Sequence, residues 1–266
     1  MGAPNFGYAG DVPKELTIFG LIVFLEGTAM ENNEKSFLEC EKWWIFALLM
    51  TAAGWLGAFT YSIRGGVFCN AQTGNFVLLA MALGNCELSR AAYFLIPISA
   101  YFLGSIISEV VPNVVKEKSG IRWDTMLIGI EILVIIILGF LPETAPFQIT
   151  QIAVNFICSM QYNTFRQAQG IPMATTFCTN HVRQTSNFFV KYLKKHDKES
   201  LMRFSRHFLM LAVFVFGGVM SAALCRVFNG KAIWGAAVIL FIAFADLLYA
   251  DLKTEKNILY RKPRGH

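Results

Sequence analysis

Two short stretches gather most of the polar chemistry of this chain. Arg64, Asn70, Gln72, Thr73, Gly74 and Asn75 fall in or beside GGVFCNAQTGNF, Gly65 to Phe76. Thr179, Asn180, His181 and Arg183 fall in or beside IPMATTFCTNHV, Ile171 to Val182, with Arg166 just ahead of it. Amide, hydroxyl and guanidinium groups at this density hold a small polar solute by hydrogen bonds. His181 adds a group that can relay a proton near neutral pH. A polar stripe of Asn155, Gln161 and Asn163 is expected to face these stretches. Glu131 and Asp246 stand inside apolar blocks, where a carboxylate is costly and marks a coupling site or an ion pair. Arg64, Arg183 and His207 are the cations considered as their partners.

Other chemistries leave no trace. The chain has no H-E-x-x-H, G-x-S-x-G, Walker loop or C-x-x-C, and its four histidines lack metal-ligand spacing. No catalytic residue, metal or cofactor is expected, and the chain is not read as an enzyme. The six cysteines are scattered, several in apolar segments, which favours buried thiols over a disulfide framework.

The elements that position these groups are membrane helices. The 266 residues are 55% hydrophobic and 15% charged, against about 25% charged in soluble domains. Runs such as Ile130 to Leu141, His207 to Leu224 and Ala232 to Ala250 approach or reach the roughly 20 residues that span a bilayer. The net charge of +5 lies in loops and tail, as in a protein with basic cytoplasmic segments, and does not point to nucleic acid. Leu16 to Leu25 is apolar but short, and reads as an interfacial or capping segment. ENNEKSFLECEK, up to Lys42, reads as acidic and exposed.

Apolar blocks fall at about 43–63, 67–84, 91–111, 124–141, 147–165, 173–190, 207–225 and 231–250. The second and sixth open with the polar stretches. An offset of about 106 residues maps the first four onto the last four and sets Asn75 on His181. A competing register, QTGNF on QTSNF at an offset of about 112, puts the stretches at different depths. Six crossings, with the second and sixth blocks entering and leaving on one side, give two inverted three-helix repeats. They also place the Lys116–Arg122 loop, Arg166, the Lys191–Arg206 cluster and the tail from Lys253 with the cytoplasmic termini. Only Arg64, Arg90, Arg226 and Lys231 remain outside. Eight crossings would make the repeats parallel and separate charge less well.

The expected fold is therefore all-α: a polytopic membrane helix bundle with a re-entrant or broken helix in each repeat carrying a TGN-like motif. Residues 1–42 form an N-terminal cytoplasmic or interfacial segment, 43–250 one membrane domain (repeats 43–141 and 147–250), and 251–266 a basic tail. Gly54 and Gly57 permit close helix contact, and Gly217-Gly218 with Ala222-Ala223 offers a face for a homo-oligomer.

The residues R-G-G-V-F-C-N-A-Q-T-G-N-F-V-L-L from Arg64, and S-M-Q-Y-N-T-F-R-Q-A-Q-G-I-P-M-A-T-T-F-C-T-N-H-V-R from Ser159, resemble the two signature stretches of the YoaK family (DUF1275). These are bacterial integral membrane proteins of unknown function. The resemblance covers about 43–250 and implies an inner or plasma membrane protein of about six helices. The family's second motif is closer to T-G-N-L-R. Here Thr179 and Arg183 match it, while Asn180 and His181 replace its glycine and asparagine; asparagine tolerates positive φ and can sustain a similar bend. The functional expectation is a small-solute transporter or channel-like permease, with the solute between the two motifs near the midplane and lipids around it. The alternative is a non-transporting membrane protein that binds a lipid, a ligand or a partner subunit.

Overall fold

The computed structural model describes residues 37–115 and 120–264. The Leu16–Leu25 segment and the basic residues Lys14, Lys35, Lys116 and Lys118 lie outside them. The described chain is α-helical: α1 (Trp43–Ile63), α2 (Gln72–Gly84), α3 (Leu88–Val115), α4 (Trp123–Gly139), α5 (Phe147–Thr164), α6 (Thr179–Lys195), α7 (Lys198–Phe228) and α8 (Trp234–Tyr249). Three continuous helical stretches are long and apolar enough to cross a membrane: Trp43–Ile63, Leu88–Pro112 and Lys198–Thr254, the last holding both α7 and α8.

The outer surface explains why these helices want lipid. Phe102, Val219, Val238 and Phe241 are more than half exposed, whereas Gln151, Asn155, Glu131, His181 and His207 are wholly buried. In water the distribution would run the other way. The apolar interior is built around Phe46, Leu49, Phe59, Leu127, Ile157 and Met210.

The helices pack in definite pairs. α1 lies against α7 and α8, α5 against α3 and α4, α2 against α3, and α6 against α7. The α1–α7 contact is backbone to backbone. A Cβ on Gly54 would run into the carbonyl of Phe214, and one on Gly217 into that of Thr51. Small residues make such approach possible. Gly217 is thus used within the chain, not on the free face expected for a homo-oligomer.

Contacts at the helix ends show that α1, α3, α4, α5, α7 and α8 alternate in direction. At one end Trp44 Nε1 donates to Asp246 Oδ2 at 2.9 Å, and Arg122 pairs with Glu255 and Asp251. At the other, Gln151 Nε2 donates to the Arg64 carbonyl at 2.7 Å, and Gly230 lies against the Arg64 guanidinium. α2 and α6 do not follow this alternation. After Arg64 the chain turns back into the bundle, and Asn70 Nδ2 donates to the Ala53 carbonyl, 2.9 Å away and half-way along α1. α2 then returns beside α3 to the end it came from. α6 returns along α7 in the same manner.

One sequence expectation needs correction. ENNEKSFLECEK is not exposed over its described part: Leu38, Cys40 and Glu41 are buried. Glu41 accepts from the backbone N–H groups of Leu38 and Arg264, each at 2.8 Å, and this closes the N-terminal approach over the tail. Burial, with Asp124 beside it, also pushes the Cys40 thiol well above its usual range. A short two-stranded ribbon, Gln167–Ala168 with Ile171–Pro172, joins α5 to the second polar stretch within the all-α chain. Its tip turns at Gln169 and Gly170, both at positive φ, and Gln169 N donates to the Glu41 carbonyl at 2.7 Å. All six cysteines are free.

Candidate functional site

The polar stretches form two turns that lead into the N-termini of α2 and α6. A turn inside an apolar bundle must satisfy its own peptide groups, and this is what several of the polar side chains do. Asn75 Nδ2 donates to the Phe68 carbonyl at 2.8 Å, and His181 Nε2 lies 2.9 Å from the Ala174 carbonyl. Each side chain reaches back seven residues to hold the loop that precedes its helix. Gly57 allows the first turn to seat, because a Cβ there would meet the Asn70 amide at 2.8 Å. Gly65 sits at φ +83° under Gln151, and a side chain would fit neither the conformation nor the space.

His181 is also 3.0 Å from His207, Nδ1 to Nδ1. A carbonyl only accepts, so Nε2 of neutral His181 carries its proton and Nδ1 accepts. His207 then donates from Nδ1, leaving its buried Nε2 without a partner. Donor order therefore runs His207, His181, Ala174 carbonyl. Asparagine can replace His181 in the last of these bonds, as Asn75 does in its own turn. His181→Asn is expected to fold with little loss, while His181→Leu should cost about 1–3 kcal/mol by orphaning the carbonyl and His207. Thermal unfolding of the two purified variants in one detergent checks this.

One helix touches both turns. Gln151, Asn155, Cys158 and Gln161 follow one another on a single face of α5, and all are buried. Gln151 holds the Arg64 carbonyl, and its own backbone carbonyl accepts from both Asn155 Nδ2 and the Cys69 thiol. Asn155 Oδ1 accepts from Gln72 Nε2 at 2.6 Å, and Gln72 Oε1 accepts from Asn75. Two turns further on, Gln161 Nε2 donates to the Thr175 carbonyl at 3.2 Å. Cys158 lies between, within electrostatic reach of Cys69 of the first turn and of Glu131 of α4. Both carboxyl oxygens of Glu131 are buried and unpartnered, as are Asn75 Oδ1, Gln151 Oε1 and the hydroxyl of Thr175.

The remaining candidates scatter. Thr73, Thr179 and Arg183 are exposed; Arg183 donates to Asn180 Oδ1 at 3.1 Å. Gly74 rests on the Phe68 ring. Arg166 pairs with Glu109 at 2.7 Å near the bundle end and also holds Asn163, so neither faces the turns. Asp246 accepts from Trp44, and neither it nor Glu131 meets a cation among the described residues. Arg64 is buried at its helix end, with Nε and one terminal nitrogen unpartnered and Phe59 beneath it. Sequence reading missed Gln151, Cys158, His207 as a partner of His181, and Thr175–Thr176. The spacing 151, 155, 158, 161 carried the signal for the first two.

A helical chain with an apolar exterior, spanning-length helices and a polar row at its centre is of the membrane class. Its profile match then places it: the chain belongs to the family described as "Protein of unknown function (DUF1275)", matched over residues 45–245. No curated protein and no solved structure matches it.

Proposed function

We propose that this chain is a small-solute membrane transporter or channel-like permease whose pathway follows the polar face of α5 between the two turns. The observation that carries this reading is the row Gln151–Asn155–Cys158–Gln161, bound to the first turn at one end and the second at the other, with unpartnered Glu131 beside its middle. Unpaired buried polar atoms each cost about 1–3 kcal/mol. Such atoms contributed by α2, α4, α5 and the second turn are the cost of holding something polar between them.

Two inverted repeats account for the arrangement. The pairs α1–α7 and α3–α5 exchange under the 106-residue offset, as do α2–α3 with α6–α7 and α1–α8 with α5–α4. So do the bonds Asn75 to Phe68 and His181 to Ala174. Glu255 meets both Glu39 N and Arg122, which supports six crossings: eight would put residues 39 and 122 on opposite faces. On this reading the basic end is cytoplasmic and the membrane is the plasma (inner) membrane.

Two measurements test the pathway. In a variant that keeps Cys158 as the sole cysteine, a positively charged methanethiosulfonate added to proteoliposomes should modify Cys158. No modification, in protein that remains folded, would mean a dry packed core and sink the reading in favour of a non-transporting protein. Glu131→Leu should keep or raise thermal stability, since it removes an uncompensated buried carboxyl. It should also bring proteoliposome permeability to urea, glycerol, ammonium and formate down to that of empty vesicles. Unchanged permeability in this variant would remove Glu131 from the pathway.

A further inference from the structure

We propose that the cleft between α6 and α7 binds the phosphate of an anionic phospholipid. The cleft has a volume of about 520 Å³ and is lined by Phe188, Lys191, Lys195, Ser200 and Arg203, with Asp197 and Glu199 in its wall. Its floor is the Phe188 ring, which carries two cations, Lys191 Nζ at 4.9 Å and the Arg203 guanidinium at 5.4 Å from the centroid. The two carboxylates are already engaged. Glu199 pairs with Arg203 at 2.7 Å, and Asp197 accepts from Ser200 N at 2.7 Å as the cap of α7. Lys191 and Lys195 lie one turn apart on α6, exposed and without an ion pair among the described residues. The cleft sets three cations against two carboxylates, and so presents one net positive charge over an apolar floor.

A free phosphate would need only the cations. The surroundings fit a lipid, because an apolar strip begins beside them: Phe189, Val190 and Leu193 on α6 and Phe208 on α7 are each about half exposed. The last turns of α6, where it reaches the bundle end beside the start of α7, place cations at headgroup level, with the apolar strip below them for the acyl chains. Phe188 also stacks on His207 at 6.1 Å, and His207 meets His181, so two rings would separate the headgroup from the second turn.

Native mass spectrometry of the full chain, released from detergent containing phosphatidylglycerol or phosphatidylcholine, tests the site without any flux measurement. A failure here is therefore distinct from a failure of the permease reading. Retention of phosphatidylglycerol over phosphatidylcholine is expected, with inorganic phosphate at equal concentration unable to displace it. K191Q/K195Q should weaken retention roughly 25-fold, about fivefold for each cation, while E199Q should retain the lipid. Both lysines are exposed, so the double variant should keep the elution profile of the parent; R203Q provides a second, independent loss. Equal retention of the two lipids, or unchanged retention by K191Q/K195Q, overturns the proposal. Displacement by inorganic phosphate would overturn it too, making the ligand a free anion.

Discussion

Gly54→Val is expected to dismantle the bundle, and Gly218→Ala to leave it intact. Both positions lie on the seam between α1 and α7, and their sequence surroundings are equally apolar. At Gly54 a Cβ would fall onto the Phe214 carbonyl oxygen, with its carbon 2.8 Å away. Nothing there can rotate aside, because the obstacle is main chain. The helices must separate, and every side chain packed between them loses contact. Overpacking a core usually costs about 1–3 kcal/mol; a backbone obstacle puts this change at about 3 kcal/mol or more. At Gly218 the nearest atom to a Cβ is the Gly54 carbonyl oxygen at 3.5 Å, an ordinary contact. Size-exclusion elution of the two variants in detergent separates the outcomes: aggregation or a void peak for Gly54→Val, a parental peak for Gly218→Ala. A parental peak for both would mean that the seam tolerates separation.

Arg122→Leu should be comparably severe for another reason. Arg122 is buried where α4 begins, paired with Glu255 and within 3.9 Å of Asp251, and it donates to the Ile258 carbonyl at 3.0 Å. Its backbone N–H and the Thr125 hydroxyl both donate to Asp251 Oδ2, at 2.9 and 2.7 Å. Removing the guanidinium strands two buried carboxylates, and breaking one side of a buried pair costs about 3–5 kcal/mol. The tail should then detach. Limited proteolysis should cut the variant beyond Ala250 under conditions that leave the parent whole. Adding Glu255→Gln should restore part of the loss, because one stranded charge is gone. A tail that stays protected in Arg122→Leu would show that its apolar contacts suffice.

The class of fold was legible in the chain, and the site only in outline. Hydropathy marks membrane-length helices because the bilayer imposes one length and one composition on whatever crosses it. The two polar turns were visible as breaks in that pattern. What each polar residue does there was not visible. Thr73 and Thr179 carry the motif letters yet point outward, since a turn leading into a helix divides successive side chains between inside and outside. Asn75 and His181 face inward and spend their donors on carbonyls seven residues back. Arg166 stands just ahead of the second polar stretch in sequence, but its partner Glu109 is 57 positions away. The clamp around Arg122 and Glu255 was hidden for the same reason: spacing along the chain reports neighbours on one helix, not neighbours across a bundle. Its residues looked like the solvated ends of a membrane protein. The ribbon at Gln167–Pro172 was too short to show any periodicity.

The pairing of α1 with α7 also has a consequence for synthesis. Ile63 closes α1 and Lys198 opens α7, so about 130 residues must be made in between. At ~5–20 residues per second that takes roughly 7–26 s. Throughout this interval α1 stands in the membrane with the notch at Gly54 facing lipid instead of Phe214. Until then the first helix is held by its insertion, by the turn at Asn70 and, later, by Gln151 of α5. Its tightest seam closes only after the second half has arrived.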